Sequence, residues 1–231
     1  FVVVWAVLRL PGTLHPEDRR PIDIRDIAAA VRQVLGERYS LGYTLASTLI
    51  YGSLMGFINS VQQFFTDVFH APGLFTTVFA GVAAFMGLAS YVNSRIVERL
   101  GTRMVSHSAL IGFTIISALH VAVAAGGYES IWTFSILQAL LMACFGLAGS
   151  NFGSMAMEPV GHIAGTASSI QGFVSTTGGA LIGVLIGQSF DGTTMPVAAG
   201  YLAVGLGAIL IVLVTERGRL FQAHNAPLAK A

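Results

Sequence analysis

Six apolar stretches, each close to 20 residues long, constrain this chain more than any other feature. An α-helix of about 20 residues spans the hydrocarbon core of a bilayer. Only 10% of the 231 residues are charged, against about 25% in a typical soluble domain. The sequence therefore predicts an all-α membrane protein, a six-transmembrane-helix bundle over residues 41–215 with a lipid bilayer around it. The predicted spans, A to F in chain order, cover residues 41–62, 72–92, 104–124, 131–149, 165–187 and 195–215.

The placement of the charged side chains predicts how the spans are threaded. With alternating directions, all 12 basic residues fall on one side, in the segment before span A, the B–C loop and the tail. The opposite loops hold Asp67, Glu129 and Asp191 but no Lys or Arg. Because basic loops stay in the cytoplasm, the basic side is expected to be cytoplasmic in a multi-pass protein. The expected cytoplasmic segments are 10–40, 93–103, 150–164 and the tail at 216–231.

Two segments precede span A, and they differ from each other in composition. Residues 1–9 are apolar and end in an arginine, as at the end of a preceding transmembrane helix. Residues 10–40 form a polar, proline-punctuated connector that contains an amphipathic helix. This helix either rests on the membrane surface or packs on the bundle as a linker, and its pattern favours neither. Its apolar face comprises Ile24, Ile27, Val31 and Leu35.

Spans A and D carry polar and bulky side chains along one helical face. These residues recur at steps of three and four, which places them on one side of a helix. Polar groups are costly in hydrocarbon, so each face either lines a water-filled cavity or makes hydrogen bonds that hold the bundle together. We favour a cavity wall, in which methionine adapts to ligands of different shape. The candidate substrate contacts are Tyr51, Met55, Asn59, Gln62, Gln138, Met142 and Phe145, and, in span E, Gln171.

Glycines recur at every fourth position in two spans. Span E carries Gly179, Gly183 and Gly187, and span A carries Gly52 and Gly56. Small residues at this spacing let helix backbones approach each other closely in a membrane. The pattern therefore predicts close packing of these two helices against their neighbours.

The spans lack the groups that covalent chemistry or metal binding requires. No Asp, Glu, Lys or Arg lies in the middle of a predicted span, and the six histidines show no metal-ligand spacing. His107 and His120 lie towards the ends of span C, where an interfacial role is favoured over proton transfer. We therefore expect no catalytic residue, no metal site and no cofactor.

Three stretches resemble the major facilitator superfamily, and within it the Bcr/CflA group of drug-resistance transporters. NSRIVERLGTR (93–103) resembles the basic loop motif between the eighth and ninth helices. EPVGHIAGTASSIQGF (158–173) and QSFDGTTMPVA (188–198) resemble the segments before the eleventh and twelfth helices. The connector resembles the central loop, although Gly12 replaces its usual glutamate. The conformational loop motif maps to Asn93, Arg95, Arg99, Gly101 and Arg103.

The resemblance implies the second half of a twelve-helix major facilitator fold, whose partner is an N-terminal six-helix half. It further implies a multidrug efflux antiporter of the bacterial inner membrane, which exports drug-like small molecules in exchange for protons by alternating access. No nucleic-acid partner is expected. A major facilitator importer of a metabolite or sugar stays open. An intramembrane enzyme would need carboxylates, a Ser/His pair or metal ligands at membrane depth, and a non-transporting scaffold is a further alternative.

Overall fold

The computed structural model describes Trp5, Arg9 and residues 24–222, and every regular element in this part of the chain is helical. The predictions for residues 1–9 and for the start of the connector fall outside these residues, apart from Trp5 and Arg9, as does the tail after Gln222. A short helix, α1, precedes six long ones. The helices are α1 (Ile24–Gly36), α2 (Arg38–Gln63), α3 (Phe75–Leu100), α4 (Thr102–Ala125), α5 (Ile131–Met157), α6 (Ala164–Gln188) and α7 (Met195–Thr215).

Five continuous helical segments of the described chain are long and apolar enough to cross a membrane. One of them, Ile131–Gln188, has 58 residues. A single helix of that length would extend about 87 Å, roughly three times the thickness of the hydrocarbon core. This segment contains α5 and α6, joined by a 3₁₀ turn in which Val160 leaves the helical conformation (φ −120°, ψ 18°). The predicted spans A to F therefore correspond to α2 to α7, and the predicted all-α membrane fold class is confirmed.

Contacts between helices show that successive helices alternate in direction. Thr48 and Asn59 of α2 lie against Gly178 and Gly187 of α6, so these two helices are parallel. The ring of Phe64, just after α2, lies 5.4 Å from that of Phe134 near the start of α5. The start of α2 meets the end of α5, so α2 and α5 are antiparallel. It follows that α5 and α6 run in opposite directions and that the chain reverses between them.

The alternation separates the charged residues into two ends of the bundle, which we call the basic end and the acidic end. The acidic end carries Asp67, Glu129 and Asp191, and no Lys or Arg among the residues that the structure describes. There, hydrogen bonds from Thr193 lower the pKa of the exposed Asp191 carboxyl, which keeps its negative charge to lower pH. The basic end carries Arg38, Arg95, Arg99, Arg103, Arg217 and Arg219.

Two predicted loops are shorter than expected. The segment 93–103 is helical up to Leu100, and the loop reduces to a turn at Gly101, whose φ of 84° favours glycine. In the segment 150–164, α5 continues to Met157. It continues because Phe152 and Met155 are fully buried in the bundle core, which extends the apolar face past the predicted end.

The amphipathic helix α1 packs on the bundle through part of its surface. Val34 is buried against Val160 and Ala167, and Gln33 hydrogen-bonds the His162 ring at 2.8 Å. Three residues of the predicted apolar face stay exposed, namely Ile24, Ile27 and Leu35. Contact with the bundle is therefore established, while most of the apolar face points away from it.

Helices α2 and α6 are the most closely packed pair. A Cβ atom built on Gly183 would lie 2.3 Å from the Cβ of Met55, and one on Gly52 would lie 2.5 Å from Ile182. Real Cβ atoms do not approach other atoms this closely, so only glycine fits at these positions. The glycine repeat in the sequence predicts this packing.

Candidate functional site

A cavity of about 600 Å³ lies between α2, α3, α5 and α6. Helices α2 and α3 make aromatic contacts towards the acidic end, where the ring centroids of Phe57 and Phe79 are 5.8 Å apart. Towards the basic end the two helices are separated by the cavity, which lies between Ser47 and Ser90. The lining residues are Ser47, Tyr51, Ser90, Asn93, Ser94, Phe145, Gly146, Gly149, Ser150 and Ser175.

A second cavity of about 420 Å³ adjoins the first. Tyr51 and Ser175 line both, so the two cavities form one continuous depression, which we call the groove. The second cavity is lined by Tyr51, Gly153, Ser168, Gln171, Gly172, Ser175 and Thr176. The groove therefore extends from the middle of α2 to the basic ends of α3, α5 and α6.

Asn93 lines the groove at the point where α3 contacts α5. Its side-chain oxygen accepts a hydrogen bond from Nδ2 of Asn151 at 2.8 Å, and its own Nδ2 donates to the Ser150 hydroxyl at 3.3 Å. Asn151 also donates to the backbone oxygen of Leu147 at 2.7 Å. Both asparagines are almost fully buried, and buried amides are stable only when hydrogen-bonded. These bonds fix the orientation of Asn93, a residue that the sequence placed in the loop motif.

Three of the predicted substrate contacts line the groove. Tyr51 lies where the two cavities meet, Phe145 lines the first cavity and Gln171 the second. The Gln171 amide donates to the backbone oxygen of Gly153 at 3.3 Å, which fixes its direction. These residues come from α2, α5 and α6, so three separate helices bring their side chains to one surface.

The other predicted contacts lie elsewhere, although they share a helical face with Tyr51 or Phe145. Met55 and Asn59 lie against Gly183 and Gly187 of α6. Gln62 is exposed near the acidic end.

Gln138 and Met142 are buried in the bundle core and are absent from the lining of the groove. The Gln138 amide lies close to the Tyr201 hydroxyl, and among the described residues neither group has a hydrogen-bond partner. The physical reason for the burial is that α5 is surrounded by neighbours, so one helical face meets different helices along its length. A role of these residues in substrate binding stays a prediction.

Apart from Ser175 of α6, which is a cavity candidate by sequence, sequence reasoning missed the serines of the groove. Ser90 and Ser94 are separated by one turn of α3, and Ser150 follows Gly149 in α5. Isolated serines in apolar helices are common and usually bond their own helix backbone, so they give a weak signal. The spacing of Ser90, Asn93 and Ser94, at steps of three and one, was the available sign of a polar face on α3.

The residues of the loop motif separate into an exposed and a buried group. Arg95 is exposed and donates to the Tyr91 hydroxyl at 3.0 Å, and Arg99 is exposed. Arg103 is buried, and its guanidinium bonds Glu216 at 2.9 Å and Glu158 at 3.2 Å. Arg103 therefore ties the start of α4 to the chain just after α5 and just after α7.

A hydrogen-bond chain extends this ion pair into α2. The backbone N–H of Phe221 donates to Nδ1 of His107 at 3.2 Å, so the ring proton is on Nε2. That nitrogen lies 3.1 Å from the Tyr43 hydroxyl, which in turn donates to Glu216. The chain occupies the basic end, where it joins α2, α4 and α7. It gives His107 a structural role in the described conformation.

At the acidic end, Nε2 of His120 lies 2.6 Å from a carboxylate oxygen of Glu129. This contact joins the end of α4 to the loop before α5. No group of three or more His, Cys, Asp or Glu side chains that could hold a metal ion occurs among the described residues.

Comparison with known proteins identifies two relatives that cover most of the chain. An uncharacterized MFS-type transporter, YdgK of Bacillus subtilis (strain 168), is 26% identical over 216 residues, which are 92% of this chain and 50% of YdgK. A bicyclomycin resistance protein homolog of Haemophilus influenzae is 25% identical over 206 residues, 89% of this chain and 50% of that protein. The resemblance to the major facilitator superfamily is confirmed. The chain spans about half the length of these relatives.

The six long helices and the matched length fit the C-terminal half of a Bcr/CflA-type major facilitator transporter. No family model matches the chain, and no solved structure matches it. The apolar helices and the similarity to transporters establish a multi-pass membrane protein. The relatives are named as transporters or for drug resistance, and neither name describes an enzyme.

Proposed function

We propose that this chain acts as the C-terminal half of a proton-coupled exporter of drug-like small molecules in a bacterial inner membrane. The observation that supports this most directly is the groove, which lies between four helices and reaches the basic end of the bundle. By the positive-inside rule, the basic end faces the cytoplasm. The groove is then in a position to receive a substrate from inside the cell.

The closed acidic end complements the open groove. Phe64, Phe65 and Phe69 pack with Phe134 and Phe75 at this end, with ring centroids 5.4 to 6.5 Å apart. Aromatic rings in edge-to-face and tilted contacts pack densely, and here they hold the starts of α3 and α5 against the chain just after α2, which is the closed contact of this half. Rocking of the half against an N-terminal six-helix half would open the acidic end and close the basic end, which is alternating access.

Tyr51, Phe145 and Gln171 are the proposed substrate contacts of this half. Tyr51 and Phe145 offer aromatic rings to an apolar part of the substrate, and Gln171 offers an amide. Within the part of the chain that the structure describes, the groove lining contains no Asp, Glu, His, Lys or Arg. Proton coupling needs a titratable group at membrane depth, so we assign that group to the N-terminal half.

The test uses the full-length transporter in a bacterial strain that lacks its own drug exporters. Tyr51→Ala removes the aromatic contact, and we expect at least a tenfold fall in the rate of bicyclomycin export, which corresponds to about 1.4 kcal/mol. Tyr51→Phe keeps the ring and should retain most of the rate. Ile115→Ala is the matched control, because Ile115 is exposed on α4 and lies away from the groove.

Membrane levels of each variant are measured by quantitative immunoblot, since Tyr51 also packs against Gly179. Equal export by Tyr51→Ala and the wild type, at equal levels, would contradict the assignment of the groove.

Proteoliposomes with an imposed pH gradient separate the exporter from the alternatives. A proton-coupled exporter accumulates bicyclomycin in vesicles with an acidic lumen, because protons leave as the drug enters. A proton-driven importer accumulates its substrate when the outside is acidic. Binding without accumulation under either gradient would favour a non-transporting scaffold.

A further inference from the structure

Three polar side chains lie together in the core of the bundle, away from the groove. His120 is on α4, Gln138 is on α5 and Tyr201 is on α7, and all three are fully buried. The Gln138 amide lies close to the Tyr201 hydroxyl, and the ring centroids of His120 and Tyr201 are 6.5 Å apart. None of the three lines the groove. We call these residues the core polar cluster.

Each member of the core polar cluster has a polar atom without a hydrogen-bond partner among the residues that the structure describes. These atoms are Oε1 and Nε2 of Gln138, the hydroxyl of Tyr201 and Nδ1 of His120. Buried polar atoms in proteins are nearly always hydrogen-bonded, either to the protein or to bound water. An unpaired one costs the free energy of removing it from water. The concentration of such atoms between three helices therefore indicates a partner other than a protein side chain.

The donors and acceptors of the cluster restrict what this partner can be. Nε2 of His120 lies 2.6 Å from a carboxylate oxygen of Glu129. A carboxylate only accepts, so Nε2 carries the ring proton, and Nδ1 of the neutral ring is an acceptor that needs a donor. A direct bond between Gln138 and Tyr201 would use one of the amide's two polar atoms. It would leave the other amide atom and Nδ1 of His120 unpaired, so rearrangement within the cluster cannot satisfy all of its members.

Water is the ligand that fits these groups. The partner must donate to Nδ1 of His120, and it must also pair with the donors and acceptors of Gln138 and Tyr201. It must be small, because the ring of Phe113 packs on Tyr201 and that of Phe134 packs on His120, with centroids 6.5 and 5.6 Å apart. Water both donates and accepts, and a typical internal water makes about three hydrogen bonds to otherwise unpaired buried groups.

We infer that the core polar cluster is a binding site for internal water, where at least one water molecule pairs the Gln138 amide with the Tyr201 hydroxyl and Nδ1 of His120 accepts from the same water or from a neighbouring one. The water extends the pair formed by Glu129 and His120 into a hydrogen-bond chain that reaches α5 and α7. Glu129 is the outermost member, because its side chain keeps 10% exposure at the acidic end. The site is independent of the groove and of the proposed export.

X-ray footprinting of the purified full-length transporter in nanodiscs tests the inference. Millisecond X-ray pulses convert water to hydroxyl radicals, and radicals from a bound water oxidise the side chains beside it even where bulk solvent is excluded. Mass spectrometry gives the oxidation rate of each ring, corrected for the intrinsic reactivity of its residue type. Phe65 is the control, because it is equally buried, lies at the acidic end and packs among phenylalanine rings. We expect Tyr201 to oxidise at least tenfold faster than Phe65.

Substitution of the amide connects the oxidation to the cluster. Gln138→Leu removes both polar atoms of the amide at similar volume, and it should slow the oxidation of Tyr201 at least fivefold. Gln63→Leu makes the same change at an exposed glutamine at the end of α2 and should leave the Tyr201 rate unchanged. If Gln138→Leu fails to fold, Tyr201→Phe tests the site from a different helix. It keeps the ring, and the corrected rate at position 201 should fall at least fivefold.

Two results would overturn the inference. The first is a corrected rate for Tyr201 no higher than that for Phe65, which would show a dry core in which Gln138 and Tyr201 bond each other directly. The second is a folded Gln138→Leu or Tyr201→Phe variant that keeps the wild-type rate at position 201, since water held by the cluster depends on these groups. Size-exclusion chromatography establishes that each variant is folded before it is irradiated.

Discussion

The contact between α2 and α6 allows one substitution to be worked out in detail. Gly183→Ala adds a single methyl group, whose carbon would lie 2.3 Å from the Cβ of Met55 and 2.9 Å from its backbone carbon. Ordinary van der Waals contact begins at 3.4 Å. The helices must therefore separate by about 1.1 Å locally, because a backbone atom cannot rotate away as a flexible side chain can.

The magnitude follows from the loss of packing. A gap of about 0.5–1 Å forfeits a quarter to a half of the dispersion energy of the atom pairs that it separates. Overpacking typically costs about 1–3 kcal/mol of stability. Because the added methyl group would clash with backbone atoms, we place the cost at Gly183 near the upper value. The substitution also stabilises the helix by about 1 kcal/mol, because alanine is a better helix former than glycine. We therefore expect Gly183→Ala to lower the free energy of unfolding by about 2 kcal/mol.

The matched control is Gly172→Ala in the same helix. A Cβ at Gly172 meets no atom within 4 Å, so the substitution keeps the gain in helix propensity of about 0.5–1 kcal/mol. The two variants have identical composition and carry the methyl group on nearly the same face of α6, about three turns apart, so they differ in the level of the bundle at which the methyl group is added. The expected difference between them is about 3 kcal/mol.

The assay is reversible unfolding of the full-length transporter by sodium dodecyl sulfate in mixed micelles, followed by circular dichroism. Gly87→Ala in α3 is a second control, because its Cβ also meets nothing within 4 Å. The reasoning is refuted if Gly183→Ala unfolds at the same detergent fraction as Gly172→Ala. That result would mean that α2 and α6 separate without loss and that their glycines are dispensable.

The remaining predictions concern the charged ends. Removal of the buried cation by Arg103→Ala breaks its ion pairs with Glu158 and Glu216, and we expect a loss of about 3–5 kcal/mol in the same unfolding assay. Arg103→Lys keeps the charge and should lose less; equal loss in both variants would show that the charge is unimportant. In a Cys144→Ala background, Tyr128→Cys should react with a membrane-impermeant maleimide in intact cells, and Arg99→Cys should react only after permeabilisation. The reverse pattern would contradict the proposed orientation.

The sequence predicted the helices well because their physical signal is strong. Each apolar stretch must fill the thickness of a bilayer, and prolines mark the starts of α3 and α7. Helix ends were predicted less well. The extension of α5 to Met157 depends on burial of Phe152 and Met155 by distant helices, and a local pattern does not contain that information.

The groove was only partly predictable. Tyr51 and Phe145 share helical faces with Met55 and Met142, and periodicity placed all four on the same walls. Periodicity gives the face of a helix but does not say which neighbour covers it at each level of the bundle. Met142 is covered completely, whereas Phe145, one turn later, reaches the groove.

The parallel pairing of α2 and α6 has a consequence for biosynthesis. Tyr51 and Gly179 touch across 128 intervening peptide bonds, and a ribosome that adds about 5–20 residues per second needs roughly 6–26 s to make that stretch. During this interval the face of α2 that carries Tyr51 lacks the helix that covers it in the folded structure. Insertion of α6, the fifth long helix, then completes the groove surface that α2, the first long helix, begins.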